Sequence, residues 1–169
     1  MEAIKDIIAN MVIEYYGRYE SKYEDLVHTQ QVVSYTRLIA VGEGLAPKRV
    51  SMLEAAAWLH DIGCPQSKEI YGNSEPINQQ KVGEEVSREL LASISVIPEQ
   101  NKQWLIDVVA THHQHASAIK LGFEPLYESD LIVNILSGYH HISKAGDLYK
   151  KLMASKTGKR IFKTLIDIE

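Results

Sequence analysis

Residues 55–63 read AAAWLHDIG. Three alanines, a tryptophan and a leucine make an apolar stretch that closes on the dipeptide His60-Asp61 and then a glycine. Leu53, Ala56, Ala57 and His60 recur at i, i+3, i+4 and i+7, the spacing that places them on one face of a helix. Asp61 lies four residues after Ala57, at the other margin of that face. Adjacent helical residues diverge by about 100°, so one point in space can receive both side chains only at an inward-facing helix end. Gly63 followed by Pro65 supplies such an end. The stretch therefore predicts a core helix that delivers an imidazole and a carboxylate where it stops.

Outward from this segment the chain reads helical almost throughout. Ile4, Ile7, Ile8, Met11, Val12 and Tyr15 have the spacing of an amphipathic first helix, ended by Gly17 and the polar stretch to Glu24. Asp25 is suited to cap a second helix running to about Val41, which puts His28 in its first turn. GEGLAP is a short turn, and Pro47 begins the third helix, which runs through Val50 and Leu59. Cys64 to Pro76 reads as the longest irregular stretch. A fourth helix over about Ile77–Ser93 and a fifth opening at Pro98 follow, the fifth leading into THHQH. The loop LGFEP precedes a sixth, about Leu126–His140, and the tail from Leu148 to Leu165 adds one or two more. The expected fold is all-α, an irregular multi-helix bundle forming a single domain over residues 1–169.

Composition narrows the function classes. At 169 residues, 45% hydrophobic and 24% charged, the chain suits one domain with its own core. A net charge of −4 gives no long-range attraction for polyanions, which argues against DNA or RNA as the main partner and leaves a small nucleotide open. No apolar run approaches the roughly 18 residues of a membrane span. The first residues, MEAIKDIIANMVIEYY, are amphipathic and acidic rather than basic-then-apolar, so a cytoplasmic location is expected. The single cysteine, Cys64, excludes an intrachain disulfide and reads as a small, partly buried thiol. Oligomeric state is left open.

Two further residues complete a pattern with His60-Asp61. Leu126, Asp130 and Val133 are spaced i, i+4, i+7, so Asp130 sits in the middle of an apolar face. A carboxylate there is costly unless something neutralises it. His28 lies on yet another helix. Taken singly, each has an ordinary structural reading: a hydrogen-bonded core histidine, an acid near a helix end, a buried ion pair. Taken together, two imidazoles and two carboxylates from three helices make a mixed nitrogen/oxygen site for one divalent cation, whose charge resolves several burial costs at once.

The order His28 … His60-Asp61 … Asp130 resembles the HD-domain superfamily of metal-dependent phosphohydrolases. KVGEEVSRELL, VVATHHQH and SDLIVNI resemble family segments in the same order, and the tail KTGKRIFKTL resembles one bacterial branch. The resemblance covers roughly residues 25 to 165. It implies that His28, His60, Asp61 and Asp130 hold one divalent metal in a cleft between helices. Imidazole and oxygen donors suit Mn²⁺, Fe²⁺, Co²⁺, Ni²⁺ or Zn²⁺, and Mg²⁺ less well. The implied activity is hydrolysis of a nucleotide or other small anionic phosphomonoester by metal-activated water, with Asp61 placed to orient or deprotonate that water. The alternative is a catalytically silent, metal-stabilised domain that binds a nucleotide or phosphate.

Two departures from the family pattern accompany this match. Many relatives continue the dipeptide as Ile-Gly-Lys, whereas Cys64 takes the lysine position; two-metal relatives carry a further histidine where this chain has Gln79. One metal is therefore expected rather than two. His112 continues the apolar stripe of Leu105, Val108 and Val109, and His112 and His113 are open to either plain packing or a substrate-phosphate role. Lys68 is either a solvated lysine or a contact to an anionic substrate. His115 is expected in a loop, and His140 and His141 at a helix end without a role in the site.

Overall fold

The computed structural model describes residues 4–168. Among them are ten α-helices, one turn of 3-10 helix and no strand, as the apolar spacing predicts. In chain order they are α1 (Ile4–Tyr16), α2 (Lys22–Gly42), α3 (Pro47–Leu59), α4 (Cys64–Tyr71), α5 (Pro76–Ala92), α6 (Glu99–Thr111), α7 (His115–Leu121), α8 (Glu124–Leu136), α9 (Ala145–Leu152) and α10 (Lys156–Leu165). Among the described residues no helix is long and apolar enough to cross a membrane.

The central element is α3. From Val50 to Leu59 nearly every residue is buried, because α1, α2, α6 and α8 pack around it. Three consecutive alanines let those neighbours approach closely on several sides. α1 covers one flank with Ile8, Val12, Tyr15 and Tyr16, and α2 and α8 cover another. A second apolar cluster, built on Ile39, Leu131, Ile132, Ile135 and Phe162, holds the C-terminal helices against α2 and α8.

Several boundaries differ from the sequence expectation, each for a local reason. α2 begins at Lys22, so Asp25 lies inside its first turn, bonded by the Ser21 hydroxyl at 2.6 Å, and does not cap the helix. His28 therefore falls in the second turn. Cys64–Tyr71 is helical: Pro65 is tolerated in a first turn, and Gly72 closes the helix at φ 71. His115 opens α7 rather than lying in a loop, and Gly122 closes that helix at φ 75. α8 stops at Leu136, short of His140, because Gly138 turns the chain at φ 80.

Gly63 does not act as a left-handed stop, since its φ is −79. Its role is proximity. A Cβ at Gly63 would collide with the Gln79 carbonyl and lie 2.5 Å from the Gly83 nitrogen, so a glycine is what lets α5 close on the turn after Asp61. A Cβ at Gly83 would in turn meet Val109 of α6 at 2.8 Å. This glycine pair draws α5 and α6 up to the end of α3.

Candidate metal centre

His28 from α2, His60 and Asp61 from the end of α3, and Asp130 from α8 meet at one point. His28 Nε2 lies 3.3 Å from Asp61 Oδ2 and 3.2 Å from Asp130 Oδ1. His60 Nε2 lies 3.4 Å from Asp61 Oδ2, 3.6 Å from Asp130 Oδ1 and 3.4 Å from His28 Nε2. Donors bonded at about 2.1 Å to one ion stand about 3.0 Å apart in an octahedron and about 3.4 Å apart in a tetrahedron. The observed separations are those of a single coordination shell.

The tautomers fit the same reading. His60 Nδ1 lies 2.7 Å from the Ala57 carbonyl, which can only accept, so Nδ1 carries the proton and Nε2 presents its lone pair to the centre. His112, just past α6, is held the same way by the Val109 carbonyl at 2.8 Å. Its Nε2 therefore faces Asp61 Oδ1 at 3.3 Å as one lone pair against another, and both atoms are buried without a hydrogen-bond partner. Buried acceptors that confront each other are costly unless positive charge lies among them.

The electrostatics show the same demand. Burial opposes a charge on His60, yet the Asp61 and Asp130 carboxylates raise it to about 9. Burial likewise works against ionising the two carboxylates, but His60 and His28 hold both well below their usual range. Without a cation the cluster recruits a proton. With His60 1% and Asp130 7% exposed, solvent supplies little of the missing charge. The residues fit a divalent cation.

Around this shell, the Asn134 amide, one turn after Asp130, donates to Asp130 Oδ1 at 3.0 Å. Asp61, His112 and His113 each present a donor atom within 4.8 Å of the others, a second group beside the first. His113 touches Gln79, which accepts from the Cys64 thiol. That thiol is buried, and burial together with Asp61 pushes it well above its ordinary value, so it is neutral and not a nucleophile.

A cleft of about 270 Å³ opens from the centre, lined by His113, Asp130, Tyr127, Asn134, Tyr139 and His140, with leucines from α8 and α9. His140, expected without a role in the site, thus stands on its wall; His141 instead accepts a bond from the Ser143 nitrogen at 3.2 Å. Lys68 lies on α4, outside this cleft, with its ammonium on Asp25 at 2.8 Å. Burial works against that charge, but Asp25 holds the lysine above its usual value. A larger hollow of about 640 Å³ beside α9 and α10 contains none of these residues.

Tyr127, Asn134 and Tyr139 line the cleft without having stood out in the sequence. Asn134 had a signal, lying four residues after Asp130 on the same helix face. No curated protein and no solved structure matches the chain. A family model does: residues 26–161, which carry every donor of this centre together with both flanking histidines, match the HD domain, and the chain belongs to that family.

Proposed function

We propose that this chain is a metal-dependent phosphohydrolase, acting in the cytoplasm on a small substrate that carries a single phosphate. The observation that carries the reading is the shell itself, in which His28 and His60 Nε2 lie 3.4 Å apart and each stands 3.2 to 3.6 Å from Asp61 Oδ2 and Asp130 Oδ1. A divalent ion bound there would supply Lewis-acid activation of water and of the phosphoryl group. Mn²⁺, Fe²⁺, Co²⁺, Ni²⁺ and Zn²⁺ suit two imidazoles and two carboxylates better than Mg²⁺ does.

The chain's own groups divide the remaining work. Asp61 turns Oδ2 to the shell and Oδ1 toward His112, from where it can orient a water by accepting its hydrogen bond. His112, with a bare Nε2 beside that oxygen, is a second acceptor. His113, which lines the cleft, is the group assigned to a substrate phosphate. Tyr127, Tyr139 and the leucines form a largely apolar wall suited to a flat or aliphatic leaving group. Among the described residues no lysine or arginine lines the cleft, which favours one phosphate over a polyphosphate tail. Lys68, already paired, is not proposed as a substrate contact.

Protein loaded with each metal in turn and offered nucleoside monophosphates and simple phosphomonoesters tests this reading. Phosphate release that Asp61→Ala and Asp130→Ala abolish supports it. A metal-replete chain that binds these compounds without turnover would overturn it in favour of a silent regulatory domain, the reading to which Cys64 and Gln79 lend weight.

A further inference from the structure

Gln79 stands one turn before Gly83, where the glycine contact presses α5 against the turn after Asp61. It is a buried primary amide, with one accepting end and one donating end. The Cys64 thiol donates to its Oε1, and its Nε2 sits against Nε2 of His113. A thiol gives a hydrogen bond to oxygen and is a poor acceptor, so the end that faces it is the carbonyl. The NH₂ end then faces His113 and can only donate. His113 Nε2 must be the bare nitrogen, and the ring proton must lie on Nδ1. That edge faces the centre, with Nδ1 3.9 Å from Asp130 Oδ2, and the ring lines the cleft.

We propose that Gln79 is a positioning residue that locks His113 as an Nδ1–H donor, turning it toward a phosphoryl oxygen and withholding it from metal ligation. A ring nitrogen that carries a proton cannot bind a metal. The group of Asp61, His112 and His113 thereby lacks its third donor, and the centre holds one cation. His112 shares that tautomer but presents its other edge, since its Nδ1–H donates to the Val109 carbonyl and its bare Nε2 faces Asp61. Two adjacent histidines are thus assigned opposite roles by one carbonyl and one amide. The proposal rests on the phosphohydrolase reading for the identity of the acceptor, and on the contacts of Gln79 for the tautomer.

Two measurements on the full chain test it. Long-range proton–nitrogen correlation of metal-free protein at neutral pH reads the tautomer directly, and His113 should carry its proton on Nδ1. A proton on Nε2 in the wild type would overturn the proposal. Titration with Mn²⁺, followed by elemental analysis and electron paramagnetic resonance, should give one ion per chain with an isolated six-line signal. Two exchange-coupled ions in the wild type would also overturn it.

In Gln79→Glu the new carboxylate can only accept, so His113 should move its proton to Nε2 and Mn²⁺ uptake should rise from one ion to two. Retention of the Nδ1 proton in that variant would contradict the lock. Should the variant fail to fold, the two wild-type measurements still decide. An Nδ1 proton in a chain that takes up no Mn²⁺ would support the lock and refute the phosphohydrolase reading, so the two failures are told apart.

Discussion

Glu128 and Asp130 lie two residues apart on α8, and both are buried, at 1% and 7% exposed. Their surroundings are opposite. Glu128 accepts from the Ala154 nitrogen at 2.7 Å, the Ser155 nitrogen at 2.8 Å and the Ser155 hydroxyl at 2.5 Å, so its charge is answered by fixed donors. The same serine caps α10 by accepting from Gly158 at 2.9 Å, and a Cβ at Gly158 would collide with Glu128. One carboxylate therefore welds the C-terminal helices to the body. Asp130 accepts one amide and otherwise faces imidazoles beside a second carboxylate. A buried acid is thus no sign of a site; a buried acid whose donors do not balance is one.

Substitutions at the two positions should separate function from stability. Asp130→Ala should cut turnover at least about a thousandfold in steady-state assays, since it removes a proposed ligand of the ion on which the proposed reaction depends. Its metal-free form should melt lower than metal-free wild type near neutral pH, because the His60 proton loses one of the two carboxylates that hold it. The gap should narrow as the pH rises through about 9. A loss that stays undiminished above that pH would place Asp130 with Glu128 as a structural anchor. Glu128→Ala should behave in reverse, losing roughly 3 kcal/mol in urea titrations through the donors it strands, with Mn²⁺ affinity unchanged. Lost metal affinity there would break the contrast.

Smaller effects sharpen the comparison. Saturating Mn²⁺ at about a hundred times its dissociation constant should stabilise the wild type by about 2.7 kcal/mol and leave Asp130→Ala nearly unmoved in the same melts. The metal-free protein should also respond to pH. His60 is raised above its ordinary 6.5 to about 9, so its contribution is full below 6.5 and is lost as the pH rises through about 9. With Mn²⁺ bound, the ion replaces that proton, and the alkaline decline in melting temperature should disappear.

Much of this was legible along the chain because it depends on helix faces. The apolar spacing of α1, α3, α5 and α8 gave the bundle, and Asp130 in the middle of one stripe announced a charge in need of a partner. Glu128 went unremarked, since its donors lie on a segment some 26 positions later and no helical period connects them. The short helices α4 and α7 were hidden by their glycines and prolines, which end and start helices as readily as they mark loops. Gln79 stood out as a departure from the family pattern. What it touches depends on how closely α5 approaches α3, which the Gly63–Gly83 contact settles and which periodicity within one helix cannot reveal.

The central claim is that one divalent cation is held by His28, His60, Asp61 and Asp130. Binding of Mn²⁺ to chelator-stripped protein, read by calorimetry alongside elemental analysis, tests it most directly. The account predicts one tight site per chain, weakened at least about a hundredfold by Asp130→Ala and by His60→Ala alike. No uptake by the wild type, or uptake that neither substitution changes, would contradict it.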